Sequence, residues 1–130
     1  MIRQRGKDMG KEFDYSDDAI ENRLRFVEDL FTKYGAEPLD IDEKNREKFG
    51  QRRLYKYEGS FYRVDKMKFD EDDKPFIILS CTDDEKYADI GLLEDIDAFD
   101  FGDSDEKLEK GIRYAFGIEP YPDDYSSSGI

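Results

Sequence analysis

The sequence predicts an α+β fold, a small antiparallel meander of three to four strands packed against an N-terminal amphipathic helix and a C-terminal helix. Three observations lead there. The strand-like segments cluster together between helical patterns instead of alternating with them. The first helical segment is apolar on one side only. Nine Tyr and ten Phe in 130 residues supply core material that disordered chains usually lack. That length suits one domain. We expect a flexible arm over residues 1–14, a single domain over 15–122 and a frayed acidic, Ser-rich tail over 123–130.

From Ser16, Ile20, Leu24, Val27, Phe31 and Tyr34 recur at spacings of four and three, the period of one buried helix face. Ser16 is placed to cap the helix, Asp17 and Asp18 stand in its positive first turn, and Gly35 ends it with Pro38 beyond. Glu21 and Glu28 fall on the expected wet face. The stripe lasts little more than two heptads, which favours packing on a sheet over a coiled coil. Asp42–Phe49 reads as a short polar helix. Strand signals follow over Arg52–Tyr57, over Phe61–Phe69 with a bulge expected near Asp65 and Lys66, and over Phe76–Cys81, which is apolar on both faces and therefore deep. Thr82 and Glu85 have capping-box spacing for a short helix stopped by Gly91. Leu92–Phe99 is a fourth strand or an ordered loop. A last helix starts at Asp103 or Ser104 and runs through Leu108, Ile112, Ala115 and Phe116 to Gly117.

Several chemistries lack their residues. There is no His and a single Cys, Cys81, so His-based triads and an intrachain disulfide are excluded, and a zinc site, which draws on His and Cys, is not expected. No glycine-rich phosphate loop follows a strand. A calcium loop starting at Asp95 would find Asp97 at position 3 and Glu106 at position 12, but Phe99 at position 5 and Asp100 where the glycine belongs. No cofactor is expected. The longest apolar run, Phe76–Leu79, is far short of a membrane span, and the charged N-terminus lacks a secretory signal, so the expected location is cytoplasmic, away from membranes.

Charge is the informative feature. Residues 1–66 carry 15 Lys and Arg against 15 Asp and Glu, whereas residues 67–130 carry 6 against 19, so the whole net charge of −13 lies in the second half. Such a field repels nucleic acid and attracts basic proteins. The basic, aromatic stretch Arg52–Tyr57 is a small footprint for nucleic acid and reads as an ion-pairing edge strand. Helix caps account for Asp103, Asp105 and Glu106, and for Asp83, Asp84 and Glu85. They leave Asp70, Glu71, Asp72 and Asp73 in one loop and Glu94, Asp95, Asp97 and Asp100 in another, with Phe69, Phe99 and Phe101 beside them as candidate anchors.

The expected function is a non-enzymatic, acidic protein-binding module of the inhibitor or immunity type. It would cover a basic site on a partner such as a nuclease toxin or nucleic-acid-binding protein. In general character the chain is similar to small bacterial immunity proteins, with no motif that carries a family. The alternatives are an accessory domain whose acidity serves solubility and, further off, a metal-assisted enzyme using Asp95, Asp97 and Asp100.

Overall fold

A computed structural model describes residues 13–40, 44, 47, 48 and 50–120. Along the chain run α1 (Asp17–Lys33), β1 (Glu37–Leu39), β2 (Leu54–Tyr57), β3 (Ser60–Met67), β4 (Phe76–Thr82), α2 (Glu85–Asp89), β5 (Glu94–Phe99) and α3 (Asp105–Ala115). The strands form one antiparallel sheet in the order β1-β2-β3-β4-β5, so the architecture is α+β as expected, with one strand more. The tail, most of the arm and most of the helix expected over Asp42–Phe49 lie outside the described residues. Phe13, near the end of the arm, stacks on Phe101 with ring centroids 5.3 Å apart.

α1 is bounded as the sequence predicts. The Ser16 hydroxyl accepts from the Ala19 N–H at 3.2 Å. At the other end the Ala36 and Gly35 N–H groups reach back to the Phe31 and Thr32 carbonyls, with Gly35 at φ 103°. This Schellman closure needs a left-handed residue, which glycine adopts without strain. Ile20, Leu24, Val27, Leu30 and Phe31 are buried in a core cluster with Tyr62, Val64, Ile77 and Leu79 of the sheet and Leu108 and Ile112 of α3.

The additional strand is β1. Pro38 was expected only to stop the helix, yet it also pairs opposite Tyr55, where an edge strand tolerates the missing N–H. β2 is consequently internal and not an edge. Its turn into β3, Glu58-Gly59, has positive φ at both residues, 46° and 85°, as a tight two-residue hairpin requires.

The bulge is not in β3. The β3–β4 register is unbroken from Phe61 opposite Thr82 to Met67 opposite Phe76. Tyr62 and Val64 join the helix-side core, and Phe61 packs with Leu54 and Ala88 of α2 on the reverse face; Met67 and Phe69, whose change of phase suggested the bulge, are 37% and 86% exposed, and Phe69 lies past the end of the strand. The irregularity falls in β5 instead, where Asp97 pairs with Leu79 and Asp95 with Ser80, leaving Ile96 as the extra residue.

Two further expectations change. The cap of α2 is Asp84, whose carboxylate accepts from the Lys86 N–H at 2.9 Å, while the Thr82 hydroxyl accepts from the Asp84 N–H. Glu28 is buried at 8% exposure and is not on a wet face: Arg52 donates to both of its oxygens and to both of Glu21, tying α1 to the start of β2. Among the described residues no helix is long and apolar enough to cross a membrane.

Candidate binding surface

The antiparallel pairing of β4 with β5 decides where the carboxylates go. Phe99 lies opposite Ile77 and Glu94 opposite Cys81. The chain leaving β5 at Asp100 is therefore at the end of the sheet where the Asp70–Lys74 turn enters β4, and Glu94 is at the opposite end, beside Asp83 and Asp84. The expected site is thus divided between two ends of one sheet, with Asp95 and Asp97 between them.

At the first end a hollow of about 680 Å³ is lined by Phe13, Tyr15, Phe69, Phe76, Asp100 and Asp103 together with Lys74 and Lys107. Asp70, Glu71, Asp72, Asp73 and Asp100 are exposed, but part of the local charge is compensated. The Lys74 ammonium sits 5.5 Å from the Tyr15 ring centroid, and Lys107 pairs with Asp103 at 3.3 Å. Of the expected anchors only Phe69 is outside, 86% exposed against Phe76. Phe99, which borders this hollow, and Phe101 are buried core residues, because β5 and the turn after it carry them under α3 and the Phe13–Tyr15 segment.

At the second end a hollow of about 700 Å³ opens between α2 and β5. It is lined by Asp83, Asp84 and Glu94 and by Cys81, Tyr87, Leu92, Leu93 and Ile96, and among the described residues no basic side chain lines it. Tyr87, Leu92 and Ile96 are 50%, 60% and 42% exposed. Sequence reasoning missed these three. Leu92 follows Gly91, where the Leu92 N–H closes α2 on the Tyr87 carbonyl, and Ile96 is turned out by the bulge. The usable signal was an apolar excess at a helix-to-strand junction that fits neither period.

The outer edge of the sheet is blunted. β5 carries a bulge, and the Asp97 carboxylate accepts from the Ala98 N–H at 2.8 Å, devices that discourage addition of a further strand. Asp95 accepts from the Ser80 hydroxyl at 3.0 Å on the reverse face, while Asp97 lies opposite Leu79 in helix-side phase. The carboxylates weighed for metal chemistry therefore diverge, and among the described residues no group of three or more His, Cys, Asp or Glu is placed to hold a metal ion. On the floor of the second hollow, burial holds the half-buried Cys81 thiol above its ordinary pKa, with Asp83 and Glu94 adding to the effect and a hydrogen bond with Tyr62 opposing it. A protonated thiol there is a poor nucleophile.

The guanidinium charge of the described residues is used internally. All the described arginines, Arg23, Arg25, Arg52, Arg53, Arg63 and Arg113, make ion pairs within the chain. Among the described residues Asp70, Glu71, Asp72, Asp73, Asp83, Glu94, Asp95 and Asp100 make none. No protein-family model matches the chain, and no curated protein or solved structure matches it.

Proposed function

We propose that the chain is a non-enzymatic binding module of the inhibitor or immunity type, which covers a basic site on another protein such as the nucleic-acid cleft of a nuclease toxin. The observation that carries this reading is the partition of charge: the described arginines are spent on internal pairs, while among the described residues Asp70, Glu71, Asp72, Asp73, Asp83, Glu94, Asp95 and Asp100 make no ion pair. A surface of this kind gains little from its own charges and much from a partner's. Exposed Phe69, Tyr87, Leu92 and Ile96 supply apolar contact area beside those carboxylates, which solubility alone does not require.

The test starts from a partner captured on immobilised protein at low salt, identified and purified. Surface plasmon resonance at two ionic strengths then compares the wild type with Glu94 and Asp100 both changed to Lys, and with Asp29 and Glu37 both changed to Lys. All four positions are exposed, and the two variants change net charge equally. Association should slow with salt and fall further in the Glu94/Asp100 variant, with faster dissociation as like charges meet at close range. Equal losses would reduce the effect to the overall field. Association indifferent to salt and to both variants would sink the proposal in favour of an accessory domain.

A further inference from the structure

We infer that the hollow between α2 and β5 is the docking point for one arginine side chain of the partner, its methylene stem against Leu92 and Ile96 and its guanidinium among Asp83, Asp84 and Glu94. This deepens the binding-module reading and rests on it. The two acidic ends of the sheet differ in a way that selects this one. The hollow beside the Asp70–Asp73 turn already contains Lys74 and Lys107, one over an aromatic ring and the other in an ion pair. Among the described residues no cation lines the hollow between α2 and β5.

The lining describes its occupant. A purely apolar side chain would leave the lining carboxylates desolvated without a partner, which is costly. A bare cation would leave the exposed Tyr87, Leu92 and Ile96 side chains in water, and the carboxylates do not converge on a point. Long basic side chains match both parts, since their stems are apolar and only their tips are charged. Arginine fits better than lysine because its guanidinium is planar, less strongly hydrated, able to lie on the Tyr87 ring, and able to divide its donors among several carboxylates. The field at the floor has the matching sign: Asp83 and Glu94 both act against a negative charge at Cys81.

The experiment titrates the ¹⁵N-labelled full chain with N-acetylarginine amide, and separately with its citrulline and lysine analogues, followed by amide chemical shifts. Saturable shifts should appear at Asp83, Asp84, Tyr87 and Glu94. The neutral citrulline analogue should bind about five- to tenfold more weakly, as expected for the loss of two partly exposed charge pairs. The variant Asp83→Asn with Glu94→Gln should lose a similar factor, while Asp70→Asn with Asp72→Asn should retain wild-type affinity within about twofold. Both variants change exposed side chains, and an unchanged spectrum away from the substitutions verifies the fold. Shifts spread equally over the Asp70–Asp73 turn, citrulline binding as tightly as arginine, or undiminished binding by the Asp83/Glu94 variant would each overturn the assignment. Lysine binding as tightly as arginine would overturn the choice of arginine. A basic protein partner bound salt-sensitively but unaffected in the Asp83/Glu94 variant would remove the hollow and leave the module standing. Arginine amide bound at the hollow with no salt-sensitive protein partner would do the reverse.

Discussion

Replacing Gly111 by alanine sets two effects of known size against each other. Gly111 is buried in the interior of α3, where alanine ordinarily stabilises a helix by about 1 kcal/mol through the entropy glycine loses on folding. Here a Cβ at position 111 would stand 2.5 Å from both Cε1 and Cζ of Phe99. Carbon atoms pack at about 3.5–4.0 Å, so the ring would have to withdraw by roughly 1 Å. Phe99 is buried in the same cluster as Ile77, Leu108 and Ile112, which leaves it little room, and overpacking of this kind costs about 1–3 kcal/mol. The overpacking wins, for a net loss of up to about 2 kcal/mol. Urea unfolding followed by far-ultraviolet circular dichroism should show a lower midpoint at an unchanged slope. Phe99→Leu removes the two ring atoms concerned, so in that background Gly111→Ala should become neutral or favourable, and the double-mutant cycle should show strong coupling. A midpoint raised by the full propensity gain in the wild-type background would refute the reasoning: α3 would then not lie this close to β5.

Three other predictions follow from the polar groups. Arg52→Ala should cost about 3 kcal/mol, the bottom of the range for breaking a buried pair because Arg52 keeps some contact with water, and replacing Arg52 and Glu28 together by Met should recover most of the loss. Hydrogen bonds from Arg52 hold the Glu21 carboxyl below its ordinary pKa against the opposing effect of burial. A depressed carboxylate contributes stability above its unfolded pKa and loses it as pH falls through the folded value, so Glu21→Gln should flatten the acid limb of the stability curve below about pH 4.5; an unchanged limb would place Arg52 elsewhere in solution. Cys81, with its thiol pKa raised by burial and by Asp83 and Glu94, should react with Ellman's reagent at pH 8 more slowly than N-acetylcysteine. A faster reaction would mean an open, electropositive site in place of an acidic one.

The parts legible in the sequence are those set by local periodicity and end chemistry. The buried stripe of α1, its Ser16 cap and Gly35 closure, the Ser104 start of α3 and the both-faces burial of β4 follow from residues a few positions apart. What escaped depends on partners distant in the chain. Pro38 becomes a strand residue only because Tyr55 is there to pair with it. The phase change in β3 imitates a bulge because Met67 and Phe69 are apolar without being core residues: both are exposed, and Phe69 lies beyond the strand. Glu28 has the helical position of a surface residue and is buried because Arg52 reaches it. The candidate surface was legible as a charge and not as a place: the carboxylates were found, but their division between the two ends of the sheet depends on the direction and register of β5.

That division bears on what the acidity is for. Acidity serving solubility needs only charge of one sign in contact with water, and large exposed apolar side chains beside it work against that end. In this fold Arg52 secures α1 to the sheet, and Arg23 pairs with Asp105 to secure it to α3, so much of the cationic charge is immobilised as structure. Tyr87, Leu92 and Ile96 remain exposed, in the hollow that Asp83, Asp84 and Glu94 share with no cation among the described residues. Apolar side chains left in water give up the gain of burial, and neighbouring carboxylates repel one another. Both costs are relieved by the same event, the arrival of a side chain with an apolar stem and a positive tip, and the strength of such a contact depends on desolvating that one spot more than on the total charge brought together.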